Sequence, residues 1–328
     1  MPSIPTLPRP GNLAGTESLV AGMVSVVVPV YNSSENLPEL LERLEPALAR
    51  SGRAFEAILV DDGSRDDSWD TLARLAEGRP WLRGLRLNRN YGQHNALLCG
   101  IREARGEFVV TMDDDLQNPP EEIPKLLERF VGGADVVYGV PEREQHGVWR
   151  DLASRITKAA LQGIMGAEIA RNVSAFRAFR THLREAFGTY RGPFVSIDVL
   201  LTWSTRRFEA VRVDHRPRSR GRSQYTLRRL VLHALNMVTG FSSWPLHVAS
   251  IVGFAFTIFG FVVLGFVLLR FVLEGRQVPG FVFLASIISI FSGAQLFSLG
   301  MLGEYLARIH FRTLDQPAYF VGERTPAP

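Results

Sequence analysis

Apolar positions in the first two thirds of the chain follow two alternating rhythms. Val24-Ser25-Val26-Val27-Val28-Pro29-Val30 is a short, nearly unbroken apolar run and predicts a buried strand. Residues 35–50 then place Leu37, Leu40, Leu41, Leu44 and Leu48 on one face of a helix. Phe55 to Val60 predicts a second strand, residues 67–77 a helix, and Trp81 to Leu87 a third strand. Residues 93–104 predict another helix and Phe108 to Met112 a fourth strand. This β-α-β-α-β-α-β alternation predicts an α/β fold, a mostly parallel sheet with helices on both faces. In such sheets ligands bind beyond the carboxyl ends of the strands.

Near residue 245 the rhythm changes. Ser250 to Leu269 is twenty residues without a charge, and Gly280 to Gly303 is a second such stretch. Each is long enough to cross a hydrocarbon core of roughly 30 Å. Two buried core helices are the competing reading, which the length disfavours. The connection RFVLEGRQVPG is too short for a domain, so the two spans predict a hairpin. Nine arginines lie between Arg206 and Arg229, against only Arg270 and Arg276 in the hairpin loop. Arg308 and Arg312 follow the second span. An excess of arginine marks the cytoplasmic side, so both ends of the hairpin are expected there. Tyr225 to Trp244 can gather Leu227, Leu230, Val231, Ala234, Leu235 and Val238 on one face. That suits a helix lying in the membrane interface or one packed on the soluble domain.

Composition adds three constraints. The chain has 328 residues, enough for one large or two ordinary domains. Cys99 is the single cysteine, so no intrachain disulfide forms. The net charge is +4, carried almost wholly by arginine, with Lys125 and Lys158 the two lysines. Arginine favours bidentate contacts to phosphate and carboxylate. The opening MPSIPTLPRPGNLAGTES is proline-rich and has no apolar core of a signal peptide, so it is expected to be a disordered lead-in.

Two acidic clusters carry candidate chemistry. In TMDDDLQNPPEEIP, Thr111 to Pro124, three aspartates follow an apolar strand. If the strand continues through Met112, Asp113 and Asp115 project to one side and Asp114 to the other. Two carboxylates so placed suit Mg²⁺ or Mn²⁺, whose shell is completed by water and phosphate oxygens. The same stretch also reads as a helix start, with Asn118 as cap, Pro119 after it, and Glu121 and Glu122 in the first turn. In VDDGS, Val60 to Ser64, Asp61 and Asp62 end a buried strand. They can bind a ribose hydroxyl or base N–H. Local turn chemistry explains them as well and is by itself the more economical account.

PVYNSSENLPEL, ILVDDGS, NRNYGQHNALLCGI, MDDDLQNPPEEIP and RGRSQYTLRRL stand in the order seen in family 2 glycosyltransferases with the GT-A fold. With the C-terminal spans ending in GMLGEYLARIH, the chain resembles the polyprenyl-phosphate branch, similar to dolichyl-phosphate mannose synthase and bacterial undecaprenyl-phosphate sugar transferases. The resemblance covers roughly residues 23 to 322. It implies a Rossmann-like GT-A domain over 23–224, an interfacial helix over 225–244, two transmembrane helices (about 246–269 and 280–303) within 245–303, and a cytoplasmic tail over 304–328. Residues 1–22 would be the lead-in.

The same resemblance implies a role for each matching position. Pro29, Tyr31, Asp61 and Asp62 would line the nucleotide pocket, with Arg89 near the base. Asp113, Asp115 and Gln117 would hold a divalent cation, Mg²⁺ or Mn²⁺, on the donor diphosphate. Arg218, Ser223 and Tyr225 would close over phosphates beside the membrane, and Arg143 would meet the acceptor phosphate. The implied reaction is inverting transfer of a sugar from a nucleotide-sugar, UDP-linked as the first guess, to polyprenyl (undecaprenyl) phosphate at the cytoplasmic face of the inner membrane. A lipid phosphate is already ionised near pH 7, so no general base is required; Asp198 is the best spare carboxylate, and a structural role suits it better.

Ser33, Asp114, Pro141, Gln224 and the segment Arg171 to Arg180 depart from the family pattern and hint at an unusual sugar. A homo-oligomer and a downstream flippase are partners the resemblance admits. Nucleic acid is not one, because the basic segment lacks interleaved aromatic platforms. The alternatives are transfer to a saccharide or protein hydroxyl, and a non-catalytic nucleotide-binding membrane scaffold.

Overall fold

The computed structural model describes residues 19–142, 167–192, 195–216, 244–274, 280–314 and 316–326. The predicted alternation is present. β1 (Val20–Val30), β2 (Phe55–Asp61), β3 (Leu82–Leu87) and β4 (Gly106–Thr111) are linked by α1 (Leu37–Ala49), α2 (Ser68–Ala76) and α3 (Gln93–Glu103). There follow α4 (Ile123–Glu128), β5 (Val136–Pro141), α5 (Ala167–Asn172), β6 (Arg177–Arg180), α6 (Ile197–Ser204) and β7 (Phe208–Val213). The long helices α7 (Trp244–Glu274) and α8 (Gly280–Thr313) lead to a last strand, β8 (Val321–Arg324).

The strands form one sheet in the order β7-β5-β6-β4-β1-β2-β3-β8. β1 runs parallel to β2 and β4, and β3 runs parallel to β2. β6 is antiparallel to both β4 and β5, and β8 is antiparallel to β3. An antiparallel strand at the edge of a parallel sheet is a common arrangement. β1 begins at Val20, inside the expected lead-in, because Val20 N–H donates to Arg105 O at 2.9 Å and the pairing with β4 extends it.

Apolar side chains fill both faces of the sheet. The α1 leucines predicted to share a face, Leu37, Leu40, Leu41, Leu44 and Leu48, are all buried against β1 and β2. Each such burial is worth about 2 kcal/mol. The opposite face is covered by α3 and α6 through Leu97, Leu98, Ile101, Ile197 and Leu200. Gly100 lets α3 lie close to the strands, since a Cβ there would overlap Val27.

α7 and α8 follow a different rule. Leu246–Leu273 is long and apolar enough to cross a membrane, and nearly all of it is exposed, Ala249 being buried. Among the described residues it is the one helix that meets the test. α8 is 34 residues long and runs to Thr313, ten residues past the expected end at Gly303. It packs on α7 where the Phe291 ring meets Phe256 and Phe259, with centroids 6.0 and 6.4 Å apart.

Candidate active site

β2 and β4 leave β1 on opposite sides, so their carboxyl ends open a crevice above β1, the place where such sheets bind ligands. Pro29 is buried in β1, two residues past Val27, the last β1 residue paired with β4. A missing N–H therefore costs no ladder bond there. Beyond Tyr31 the chain turns sharply, with Asn32 at φ 52°. This turn is laced to the loop after β2. Asn32 N–H donates to Ser64 Oγ at 3.0 Å, Arg65 N–H to Asn32 Oδ1 at 2.8 Å, and Ser33 N–H to Ser68 Oγ at 2.8 Å.

Asp61 and Asp62 are both almost fully buried. Ser64 N–H approaches the Asp61 carboxylate at 3.3 and 3.4 Å, which is the turn chemistry the sequence offered. Asp62 accepts from Tyr91 N–H at 2.7 Å and from Gly92 N–H at 2.8 Å, so one side chain anchors the loop that opens α3. Burial pushes the Asp62 carboxyl up to about 6, against the opposing pull of those two hydrogen bonds. Burial also raises Asp61, while Ser64 and the Arg86 guanidinium hold it back. Gly63, at φ +66°, allows the close approach of this turn to the next loop: a Cβ would lie 2.6 Å from the Arg89 carbonyl carbon. The exposed Arg89 side chain lies over the Tyr91 ring, 4.7 Å from its centroid.

The aspartate run departs from the extended geometry expected for it. β4 ends at Thr111, Asp114 and Asp115 lie in a turn, and Leu116 adopts φ 60°. Strand alternation therefore does not set the directions of Asp113 and Asp115, because the strand has ended before either of them. Asp113 is half-buried, and its Oδ1 accepts from Gln93 Nε2 at 2.6 Å. Asp115 is buried, and its Oδ1 accepts from Gln117 N–H at 3.1 Å. The helix start also moves. A 3₁₀ turn opens at Pro120 after Pro119, α4 follows, and no side chain caps either. Asn118 Oδ1 instead lies 3.4 Å from His215 Nδ1.

Beneath the aspartate turn lies a polar cluster that sequence patterning did not reveal. Arg177 on β6 is buried, donates through Nε to Thr111 Oγ1 at 3.0 Å, and is ion-paired with Asp198. Tyr138 Oη donates to the same Asp198 oxygen at 3.0 Å. Thr111, Tyr138 and Arg177 lie on three adjacent strands at one register level. Burial and the Asp198 charge push the Tyr138 hydroxyl well above its ordinary range. Asp198 is committed to this cluster. Gln93 was also missed, for nothing in its own surroundings in the chain marks it as Asp113's partner.

Arg143, Arg218, Ser223 and Tyr225 lie outside the described residues, as do Gln224 and residues 225–243 of the expected interfacial helix. The described chain reaches Arg216, whose N–H donates to Gln117 O at 2.8 Å. The arginine-rich segment, which starts before β7, thus meets the aspartate turn at Arg216. Pro141 ends β5, and the segment Arg171 to Arg180 supplies the end of α5 and all of β6.

Among the described residues no group of three or more His, Cys, Asp or Glu is arranged to hold a metal by itself. Asp113, Asp115 and the Gln117 amide offer hard oxygen atoms on one turn. That partial set fits Mg²⁺ or Mn²⁺ taken up together with a diphosphate, and not a metal held wholly by protein.

The glycosyl transferase family 2 model matches residues 25–188. The chain is 40% identical over 307 residues to undecaprenyl-phosphate 4-deoxy-4-formamido-L-arabinose transferase of Pseudomonas aeruginosa (strain LESB58), covering 91% of this chain and 89% of that one. A protein of the same name from Klebsiella pneumoniae (strain 342) is 38% identical over 301 residues, covering 91% and 92%. Among solved structures, glucosyl-3-phosphoglycerate synthase from Mycobacterium tuberculosis with phosphoglyceric acid matches at TM-score 0.51 and 20% identity, over 67% of this chain and 80% of that one. The same synthase with Mn²⁺, UDP-glucose and phosphoglyceric acid matches at TM-score 0.50 and 20% identity, over 66% and 79%. At that identity the structural likeness is one of fold, the GT-A fold.

Proposed function

The chain belongs to glycosyl transferase family 2, and from that membership we propose that it transfers a sugar from a nucleotide-sugar to a polyprenyl phosphate at a membrane surface. One observation carries the acceptor: the similarity to undecaprenyl-phosphate sugar transferases spans 91% of the chain. The apolar stretch of α7 supports it, since a polyprenyl chain stays in the bilayer and its phosphate can be reached only there. A pair of spans entering and leaving on one side is supported by β8, which returns the chain after α8 to the same sheet that precedes α7.

The donor is expected in the crevice above β1, over Pro29, Tyr31, Asp61 and Asp62, with Arg89 at its outer edge. Asp113, Asp115 and Gln117 would hold a divalent cation, as Mn²⁺ accompanies UDP-glucose in the M. tuberculosis synthase. The cation would neutralise charge growing on the nucleoside diphosphate as the glycosidic bond breaks. Gln93 orients Asp113. The segment that begins at Arg216 carries Arg218, Ser223 and Tyr225, which would bind phosphate, with Arg143 as a further contact to the acceptor. Arginine donors fixed in advance supply transition-state stabilisation without a proton transfer.

The lipid phosphate attacks directly and inverts the anomeric centre. No base is needed, because its oxygen is ionised near neutral pH. The burial of Asp198 in its pair with Arg177 supports this reading over transfer to a hydroxyl, which would require such a base. The test incubates membranes containing the protein with a panel of radiolabelled nucleotide-sugars and undecaprenyl phosphate. Label is expected in the lipid phase from one donor; no label from any donor overturns the reading.

A further inference from the structure

After α8 the chain returns to the sheet, and β8 closes the edge beside β3. Its pairing is short but well anchored. Thr325 N–H donates to Gly84 O at 3.0 Å, and Gly84 N–H donates to the Thr325 hydroxyl at 2.9 Å. Asn88 N–H donates to Phe320 O at 3.1 Å. Successive side chains of a strand point to opposite faces, and β8 uses both. Arg324 pairs with Glu103 of α3 at 2.8 Å. Glu323, on the other face, accepts from Trp69 Nε1 at 3.1 Å through one oxygen and from Arg86 at 2.8 Å through the other.

Arg86 sits opposite Glu323 on β3 and has a second carboxylate in reach. Its Nε lies 3.6 Å from Oδ2 of Asp61, which is fully buried at the mouth of the crevice. Its guanidinium also lies 5.8 Å from the Trp69 ring centroid. A guanidinium is planar and rigid, so holding one edge fixes the direction of the other. Glu323 holds the terminal nitrogen, Trp69 limits the tilt, and the Nε edge is left facing Asp61.

We propose that the C-terminal strand is part of the donor site, with Glu323 a positioning residue that sets Arg86 against Asp61 for binding of the nucleoside diphosphate. The proposal rests on the donor crevice described above, and not on the identity of the acceptor. The segment responsible lies 262 positions from Asp61 in the chain, just past α8, so donor affinity depends on a piece of chain tethered to the second long helix.

The probe is UDP with Mn²⁺, titrated by calorimetry into the full-length purified protein. Glu323→Gln keeps an acceptor for Trp69 but loses the charge that holds Arg86, and is expected to weaken UDP about tenfold, with Glu323→Asp recovering part of the loss. With the natural donor, KM should rise in proportion while kcat stays within about twofold. Thr325→Val loosens the same strand without touching Arg86, and its UDP affinity should match the wild type. Equal weakening in Thr325→Val and Glu323→Gln would show that only strand stability matters and would overturn the proposal, as would unchanged affinity in folded Glu323→Gln. A wild type that binds no UDP also overturns it. A wild type that binds UDP yet labels no lipid overturns the polyprenyl-phosphate reading and leaves this one standing.

Discussion

Asp61 ends β2 and Asp62 follows it, while Asp113 and Asp115 follow β4, on either side of β1. The two acidic pairs share a crevice but are built for different loads. At β2 the carboxylates are buried and turned onto backbone N–H groups of their own fold: Ser64 for Asp61, Tyr91 and Gly92 for Asp62. At β4 the pair is carried on a turn with a left-handed Leu116, and Asp113 remains half-buried beside the Gln93 side chain. The first pair frames the crevice as well as lining it. The second is carried on a turn, with Asp115 buried on the Gln117 N–H and Asp113 half-buried, and it is the pair proposed to meet a cation. Adjacent acidic residues thus carry no single meaning; what their oxygens touch decides.

The sharpest way to break this contrast is to remove one member of each pair. Asp113→Ala should lower transfer activity about a thousandfold, an electrostatic loss of the usual size for such a group, with thermal stability nearly unchanged. Intact activity with metal present would sink the metal assignment. Asp62→Ala should instead destabilise the fold by about 3 kcal/mol, since it removes the acceptor of the half-buried Tyr91 and Gly92 N–H groups. Denaturant unfolding of the two variants side by side would show the inversion of effects.

A smaller effect separates the pairs by pH. The folded pKa of Asp62 lies at about 6, above the ordinary carboxylate value of about 3.9. A raised acid favours folding while it is neutral, so its contribution is full below the unfolded value and is lost as pH rises through about 6. Asp62→Asn should therefore flatten part of the stability change between pH 4 and 7, by about 2 kcal/mol. Parallel curves for the two proteins in melts across that range would refute the buried-carboxyl account. The smallest expected change concerns the cation itself. Chelation should speed amide exchange a few-fold in residues 113–117 and leave the 61–64 turn unaffected, as read by mass spectrometry.

The chain's periodicity made much of this fold legible. The leucine face of α1, the four parallel strands and the long apolar helix all depend on residues close together in sequence, so local pattern suffices to predict them. Membership of the family was legible too, because its motifs are short and contiguous. The aspartate turn shows the limit. A strand extrapolated past Thr111 gave the wrong geometry, since one positive φ at Leu116 cannot be read from a leucine. The cap expected at Asn118 failed for a related reason: His215, 97 positions away, lies against its side-chain oxygen.

Sequence alone therefore determined the element order from β1 to β4, the α/β class, the apolar helices and the list of candidate acidic residues. Each of these follows from spacing within a window of one or two turns. Tertiary structure alone decided that β6 inserts antiparallel between β4 and β5 and that Gln93 holds Asp113. It also decided that Arg177 and Asp198 pair beneath the turn, and that Glu323 reaches Arg86 across the sheet edge. Those contacts join side chains 20 to 237 positions apart. They exist because closing a long loop costs little more entropy than closing a short one. A charged or polar group buried at the sheet must find a partner wherever the fold brings one, and no local pattern records where that will be.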